Sequence, residues 1–289
     1  MIDTYEAGQD GKISRTQHGV TEMGIILSND YLQIADTNIY ARSVASGFSK
    51  ANVMDYWHLK RRLRAGDLTK SDINPIYRFD MTSAQTIVGI VLIDVNFNKV
   101  RIRGHATDLG VNWAASTFDS GADHIVSLNT QINRYHIYIP LTAFNLRWSA
   151  IMTPAAASAV GSYTTYWEIG SVVLLDSVTT LTKNMAYGYA RQASKAYQDI
   201  TLAHGGGERI SLGDQRKWEA DVIFGNRILT DEAELWTIDN YDIGKPLIFY
   251  ENDGDTSKVY LCLRDSGYEG TIEADNIVKG NMIRFKELI

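Results

Sequence analysis

The sequence predicts a mostly β protein: a β-sandwich over residues 25–178 and, over residues 179–289, a second β-rich domain with one short helix. Three observations carry this. Four prolines stand beside 23 glycines and 16 tyrosines, a mixture that suits twisted antiparallel strands joined by turns better than helices. Segments such as Lys99-Val100-Arg101-Ile102-Arg103-Gly104 and Tyr135-His136-Ile137-Tyr138-Ile139 alternate polar and apolar residues, as strands with one wet face do. The run Ile87-Val88-Gly89-Ile90-Val91-Leu92-Ile93 does not alternate, so it is expected at the centre with both faces covered. At 289 residues two domains are expected, since domains cluster at roughly 100–200 residues.

Residues 1–24 are polar and show little periodicity, and are expected to form an arm or an edge segment that orders on a neighbour. Met23-Gly24-Ile25-Ile26-Leu27 and Tyr31-Leu32-Gln33-Ile34 read as strands about the turn Ser28-Asn29-Asp30, where the sandwich is expected to begin. Next come Tyr56-Trp57, the basic run Lys60-Arg61-Arg62 with Arg64, and Gly66-Asp67. Such a run could contact phosphates, but the acidic total favours a solvated face or a subunit contact. Arg61, Arg62 and Arg64 are therefore the candidate subunit-interface residues. Arg78-Phe79-Asp80-Met81 reads as a strand, and Tyr166-Trp167-Glu168-Ile169-Gly170 with Val172-Val173-Leu174-Leu175 completes a set of short strands at sandwich spacing. Ala155 to Ala159, after Pro154, reads as a loop or one helical turn.

The composition turns polar at Val178-Thr179-Thr180-Leu181-Thr182-Lys183, where the second domain begins. A helix is expected near 230–241, because Asp231 followed three residues later by Glu234 is a capping box, with Ala233, Leu235, Trp236 and Ile238 after it. Lys245-Pro246-Leu247-Ile248-Phe249-Tyr250 and Val259-Tyr260-Leu261-Cys262-Leu263 flank Asn252-Asp253-Gly254-Asp255 and read as a hairpin. Met282 to Leu288 reads as a closing strand.

Charge and motifs narrow the chemistry. Lys and Arg total 28 against 34 Asp and Glu, a net of -6, which argues against general affinity for a nucleic-acid backbone. The single cysteine, Cys262, cannot close a disulfide within the chain, and no Cys and His set has zinc spacing. The first residues have neither a basic nor an apolar signal region, so synthesis and folding in a cytosol are expected. The longest apolar run falls far short of the ~20 residues of a membrane helix, and no membrane insertion is expected.

Asp94-Val95-Asn96-Phe97-Asn98 resembles the opening of a calcium loop, but the positions that need Gly and Glu hold Lys99 and His105. A strand end with Asx side chains bonded to turn amides accounts for it better. Asp119-Ser120-Gly121 lacks a serine-hydrolase context: Phe118 precludes the nucleophile elbow, and the six histidines lie in no triad motif. Gly205-Gly206-Gly207-Glu208 lacks the Lys and Ser/Thr of a phosphate loop and reads as a turn. No enzyme, cofactor or metal is expected. Among the tryptophans, Trp167, Trp218 and Trp236 lie in patterned elements and are expected to pack. Trp57, Trp113 and Trp148 lie nearer loops and are the candidates to stack on a sugar ring.

Trp57, Tyr77-Arg78-Phe79-Asp80, Asp94 to Asn98, Arg101-Ile102-Arg103-Gly104 with Thr107-Asp108, Trp113, Asp119-Ser120-Gly121 and Tyr163 to Leu174 resemble the discoidin-like sandwiches of minor tail proteins from tailed bacteriophages. The resemblance spans residues 25–178 and implies a jelly-roll sandwich. Gly205-Gly206-Gly207, Arg216-Lys217-Trp218-Glu219-Ala220-Asp221, Glu234-Leu235-Trp236, Pro246-Leu247-Ile248-Phe249 and Phe285-Lys286-Glu287-Leu288 are similar to the companion domain that packs around a tail tube. The resemblance implies a distal, ring-forming structural protein of the virion tail, made in the bacterial host cytoplasm, whose partners are copies of itself and the tube, tip or receptor-binding components. A carbohydrate-binding module that uses the sandwich loops stays open beside it, with Trp57, Trp113 or Trp148 as the stacking platform.

Overall fold

Both faces of the apolar run from Ile87 to Ile93 are covered, as its lack of alternation requires. Ile90 and Leu92 enter one apolar core while Val91 and Ile93 enter a second on the opposite side. The architecture comes from a computed structural model. It describes residues 6–7, 13–14, 26–28, 31–56, 63–121, 123–125, 136–159, 166–181, 190–201, 207–223, 227–228, 236, 238–241, 244–251, 256–267, 270–274, 277–280 and 282–288.

The protein is mostly β. In chain order the strands are β1 (Glu6–Ala7), β2 (Ile13–Ser14), β3 (Ile26–Ser28), β4 (Tyr31–Leu32), β5 (Ile39–Ala41), β6 (Leu63–Arg64), β7 (Tyr77–Ile93), β8 (Lys99–His105), β9 (Phe118–Asp119), β10 (His124–Ile125) and β11 (Ile137–Met152). They continue with β12 (Glu168–Ile169), β13 (Ser171–Leu175), β14 (Thr179–Thr180), β15 (Ala190–Thr201), β16 (Gly207–Ile223), β17 (Arg227–Ile228), β18 (Leu247–Tyr250), β19 (Val259–Arg264), β20 (Gly270–Ala274), β21 (Ile277–Gly280) and β22 (Met282–Glu287).

The sandwich is built on β7 and β11, which pair antiparallel along most of their length. Register shifts between Pro140 and Phe144 and between Leu146 and Trp148 break that ladder, as bulges do where a strand must bend. One half of β7 also pairs with β5, and its other half with β13. The order β10-β8-β11-β7-β13-β4, with β5 on β7 and β9 on β8, makes an eight-stranded sheet, and β6 with β12 forms a small second one. The core between them joins Ile39, Tyr77, Phe79, Ile102, Ile151 and Trp167 to Leu63 and Ile169. Phe97 meets Trp167 edge to face at 6.0 Å, a favoured aromatic geometry.

The boundary at residue 25 differs from the structure. Ile26–Ser28, expected to open the sandwich, pairs with β14 and with β18 in a separate seven-stranded sheet of order β14-β3-β18-β19-β22-β16-β15. Periodicity placed the strand but could not say which partner it takes. Residues 31–175 are thus an insertion between β3 and β14. Its entry and exit lie side by side, since Leu27 is opposite Thr179 and the Ser28 hydroxyl donates to Ser177 O at 2.6 Å. Close ends are what allow a domain to be inserted without distorting its host.

The hairpin expected around residues 252–255 is present as β18 and β19, Leu247 opposite Cys262, and the closing strand is β22. Of the helix expected near 230–241, Trp236, Ile238 and Asp239 are helical and Asn240 N–H donates to Trp236 O. Its capping box, Asp231 and Glu234, lies outside the described residues. Within residues 1–24, β1 pairs with β2. No helix among the described residues is long and apolar enough to cross a membrane.

Candidate functional site

The residues singled out in the sequence fall in three places. Trp57, Arg61 and Arg62 lie outside the described residues. Arg64, on β6, turns back into its own chain: Nε and Nη2 lie 2.6 and 2.5 Å from Glu168 Oε1. Its guanidinium lies over Phe48 and Tyr166, 4.5 and 5.2 Å from their ring centroids. The Glu168 side chain is only 2 % exposed. Arg64 therefore acts as a strut inside the sandwich, a different use from the subunit contact expected of it.

Trp113 and Trp148 correct the stacking expectation. Trp113 is wholly buried against Ala150 and Met152, and its Nε1 donates to Gly110 O at 3.1 Å. Trp148 is 6 % exposed, with the Tyr40 ring 5.5 Å away. A sugar needs an open aromatic face, and these two are covered. Sequence could not separate them from exposed rings, because Trp113, in the 106–117 loop, packs onto the β11 face that carries Trp148, Ala150 and Met152, a tertiary contact. Among the described residues, the exposed aromatics are instead Trp236, 48 % exposed although its helical spacing led to an expectation of packing, and Tyr40 at 36 %.

Two polar motifs are turn and strut chemistry. Asp119 Oδ1 accepts the N–H of Gly121, whose φ of 79° suits glycine. The Ser120 hydroxyl accepts from Ile102 N–H, so it is spent on the β8 edge. In Asp94-Val95-Asn96-Phe97-Asn98, Asn96 Oδ1 accepts Glu168 N–H and Asn98 Oδ1 accepts Ser158 N–H, both at 2.7 Å. Asp94 N–H donates to His136 Nδ1 at 3.0 Å. The Asn96 and Asn98 side chains thus tie the segment after β7 to β12 and to the loop at Ser158. Among the described residues, no group of three or more His, Cys, Asp or Glu is placed to hold a metal. Cys262 is buried, and burial together with Glu287 pushes its thiol well up from its ordinary range, the reverse of what a nucleophile needs.

What gathers at the surface lies where β7 and β11 lose register. Asp80 is opposite Trp148 and Arg78 is opposite Tyr40, so strand alternation puts all four on one face. Arg147 forks onto Asp80, Nε to Oδ1 and Nη2 to Oδ2, both at 2.7 Å. Asp80 Oδ1 also accepts Thr82 N–H at 2.8 Å. Thr82 has a φ of 65°, a conformation non-glycine residues rarely keep unless their surroundings impose it. Residues 82–84 are exposed, and Gln85 Nε2 donates to the Ser83 hydroxyl.

On the other side of Trp148, Arg78 Nη1 reaches both Asp108 oxygens at 2.5 and 2.6 Å, and Asp108 Oδ1 takes Gly110 N–H. The Arg78 and Lys50 cations lie 5.2 and 5.7 Å from the Tyr40 ring. The fork from Arg147 holds the Asp80 carboxyl below the usual carboxylate range, and the same contact raises Arg147. The result is an aromatic surface flanked by two arginine–aspartate pairs, held in place by a strained bulge.

No protein-family model matches the sequence, and no curated protein matches it. Solved structures give a likeness to about half of the chain. CBM32-3 from a family 31 glycoside hydrolase of Clostridium perfringens is 13 % identical, with a TM-score of 0.37, over 49 % of this chain and 93 % of that one. A family 32 CBM from C. perfringens NanJ, solved with galactose, is 13 % identical, with a TM-score of 0.34, over 50 % and 97 %. Chitosan-binding module 1 from a Paenibacillus sp. IK-5 chitosanase/glucanase is 12 % identical, with a TM-score of 0.30, over 47 % and 92 %. At this similarity they assign no ligand to this chain, and none of the three is a phage protein. The class is set by the protein's own sheets: a mostly β protein whose antiparallel sandwich is inserted into a second sheet.

Proposed function

We propose that the chain is a non-enzymatic structural component of a bacteriophage tail, a distal ring-forming protein that links the tail tube to tip or receptor-binding components. The observation that supports this reading is the insertion itself. The sandwich is mounted to one side of a host sheet whose last strand, β15, is 12 residues long and paired on one side only among the described strands. That is about 40 Å of open backbone edge. An exposed edge of this length pairs with other chains unless it is blocked. In this role the partners are copies of the same chain and other tail proteins, the place is the virion tail, and neither nucleic acid nor a bilayer is engaged.

Light scattering and negative-stain imaging of the purified chain test it, with closed rings expected alone or with tail neighbours. N–H groups alternate in direction along an edge strand, so one of Ala193→Pro and Ser194→Pro removes an outward donor and is expected to dissociate the ring. A monomer at every concentration, with or without tail neighbours, overturns the reading.

A second reading, a carbohydrate-binding module, is favoured by one observation: the exposed Tyr40 ring beside the two arginine–aspartate pairs. Trp113 and Trp148 have no place in it as platforms.

A further inference from the structure

Resting on the carbohydrate-binding reading, we propose that the Tyr40 face is a glycan subsite that takes an uncharged sugar ring, with Arg147, held in place by Asp80, supplying the polar contacts. Three features of the face converge on that ligand class. The first is amphipathic shape. Tyr40 offers apolar ring surface, while the Arg147 guanidinium lies by the Trp148 ring on which Tyr40 rests, so a charged donor group stands beside exposed aromatic surface. A sugar ring needs that pairing, because it presents C–H groups on its faces and hydroxyls around its rim.

The second is preorganisation. Arg147 is 46 % exposed at its side chain, yet its position is set by the two-bond fork to Asp80. That fork uses two of the five N–H donors of a guanidinium. Asp80 is locked in turn by Thr82 N–H, and Thr82 keeps its left-handed backbone to make that bond. Strained non-glycine residues of this kind cluster where a surface has been shaped for a ligand. Trp148 is excluded as the stacking ring but underlies Tyr40, its own ring 5.9 Å from the Arg147 guanidinium carbon.

The third is charge. Arg78 is matched by Asp108 and Arg147 by Asp80, so each fixed cation already has its counter-ion. Lys50 is the remaining cation, and its Nζ donates to Ile39 O at 2.7 Å. A site for phosphate, sulfate or an acidic sugar would leave an arginine fork open to the anion. Here the forks are closed on carboxylates, which suits a neutral polyhydroxylated ring.

The experiment is a glycan array of neutral and acidic sugars, followed by calorimetry on the best neutral ligand, using the full chain, Tyr40→Ala, Arg147→Met and Trp236→Ala. Neutral glycans are expected to bind. Tyr40→Ala and Arg147→Met are each expected to weaken binding by about tenfold, and Trp236→Ala to leave it unchanged. Thermal melts show whether each variant is folded; if Tyr40→Ala is not, Arg147→Met, altered at an exposed side chain, decides alone. Wild-type affinity in folded Tyr40→Ala and Arg147→Met moves the site elsewhere and overturns the inference while leaving the carbohydrate-binding reading intact. A preference for acidic over neutral glycans also overturns it. Retention of no glycan by the wild-type chain removes both.

Discussion

Arg64 shows how a cation read as a surface contact becomes part of the interior. Its partner Glu168 is almost wholly buried, and the cost of taking that carboxylate out of water is offset by two guanidinium nitrogens that meet it, with two aromatic rings flanking the cation. Removing the cation takes this ion pair away from a buried carboxylate. Arg64→Met is therefore expected to lower stability by about 3 kcal/mol in urea denaturation, and adding Glu168→Gln is expected to recover part of it, since no buried charge remains. A loss no larger in Arg64→Met than in the double variant would mean that packing, not charge, sets the effect. The sequence showed a basic run with an acidic total, which distinguishes a surface from a phosphate site. It held no sign that a glutamate more than a hundred residues away would be opposite Arg64. The tryptophans teach the same lesson: residue type says that a ring will be covered by something, while only the tertiary fold says that Trp113 is roofed and Trp236 is not.

At the scale of elements, pattern was a good guide to strand existence and a poor one to pairing. The unbroken apolar run in β7 announced burial on both faces, and the Asn96 and Asn98 of the Asp94–Asn98 alternation do tie the strand end through their side chains. β3 carried no mark of belonging to the other sheet, because hydrophobic period is the same whichever sheet a strand joins. The bulge at 81–84 was equally silent, since no Gly or Pro marks it, and the candidate face depends on it. Gly89 within the apolar run has a specific cause. A Cβ there would lie 2.9 Å from Tyr138 Cε2 and 3.3 Å from Ile139 O, so the strand interior has no room for one. Gly89→Ala is expected to cost about 1–3 kcal/mol, seen as a lower thermal midpoint. An unchanged midpoint would mean that the Tyr138 ring yields freely, contrary to its packing against Tyr250.

That packing sets the behaviour of the whole molecule. The sandwich and its host sheet share one apolar cluster, in which Tyr31, Val91, Ile93, Tyr138, Val173 and Leu175 meet Ile248, Tyr250, Val259 and Leu261. Tyr138 lies 4.8 Å from Tyr250, and its N–H donates to Thr256 O at 2.9 Å. Lys245 caps the Tyr31 ring at 4.4 Å, and two covalent crossings, not one, join the parts because the sandwich is inserted. Loosely tethered domains melt separately, whereas parts that share a core lose each other's burial when either opens. The described parts are therefore expected to unfold in one calorimetric transition. Tyr250→Ala removes the ring from the host-sheet side of the cluster, where it contacts Tyr138, without touching the inner sandwich core, and is expected to split that transition into two, with the sandwich retaining its own near-ultraviolet signal through the later one. Two transitions already present in the wild-type chain would show that the cluster does not couple the parts. In the proposed ring the sandwich could then not hold the proposed binding face in a set orientation, and the inserted arrangement would lose its mechanical reason.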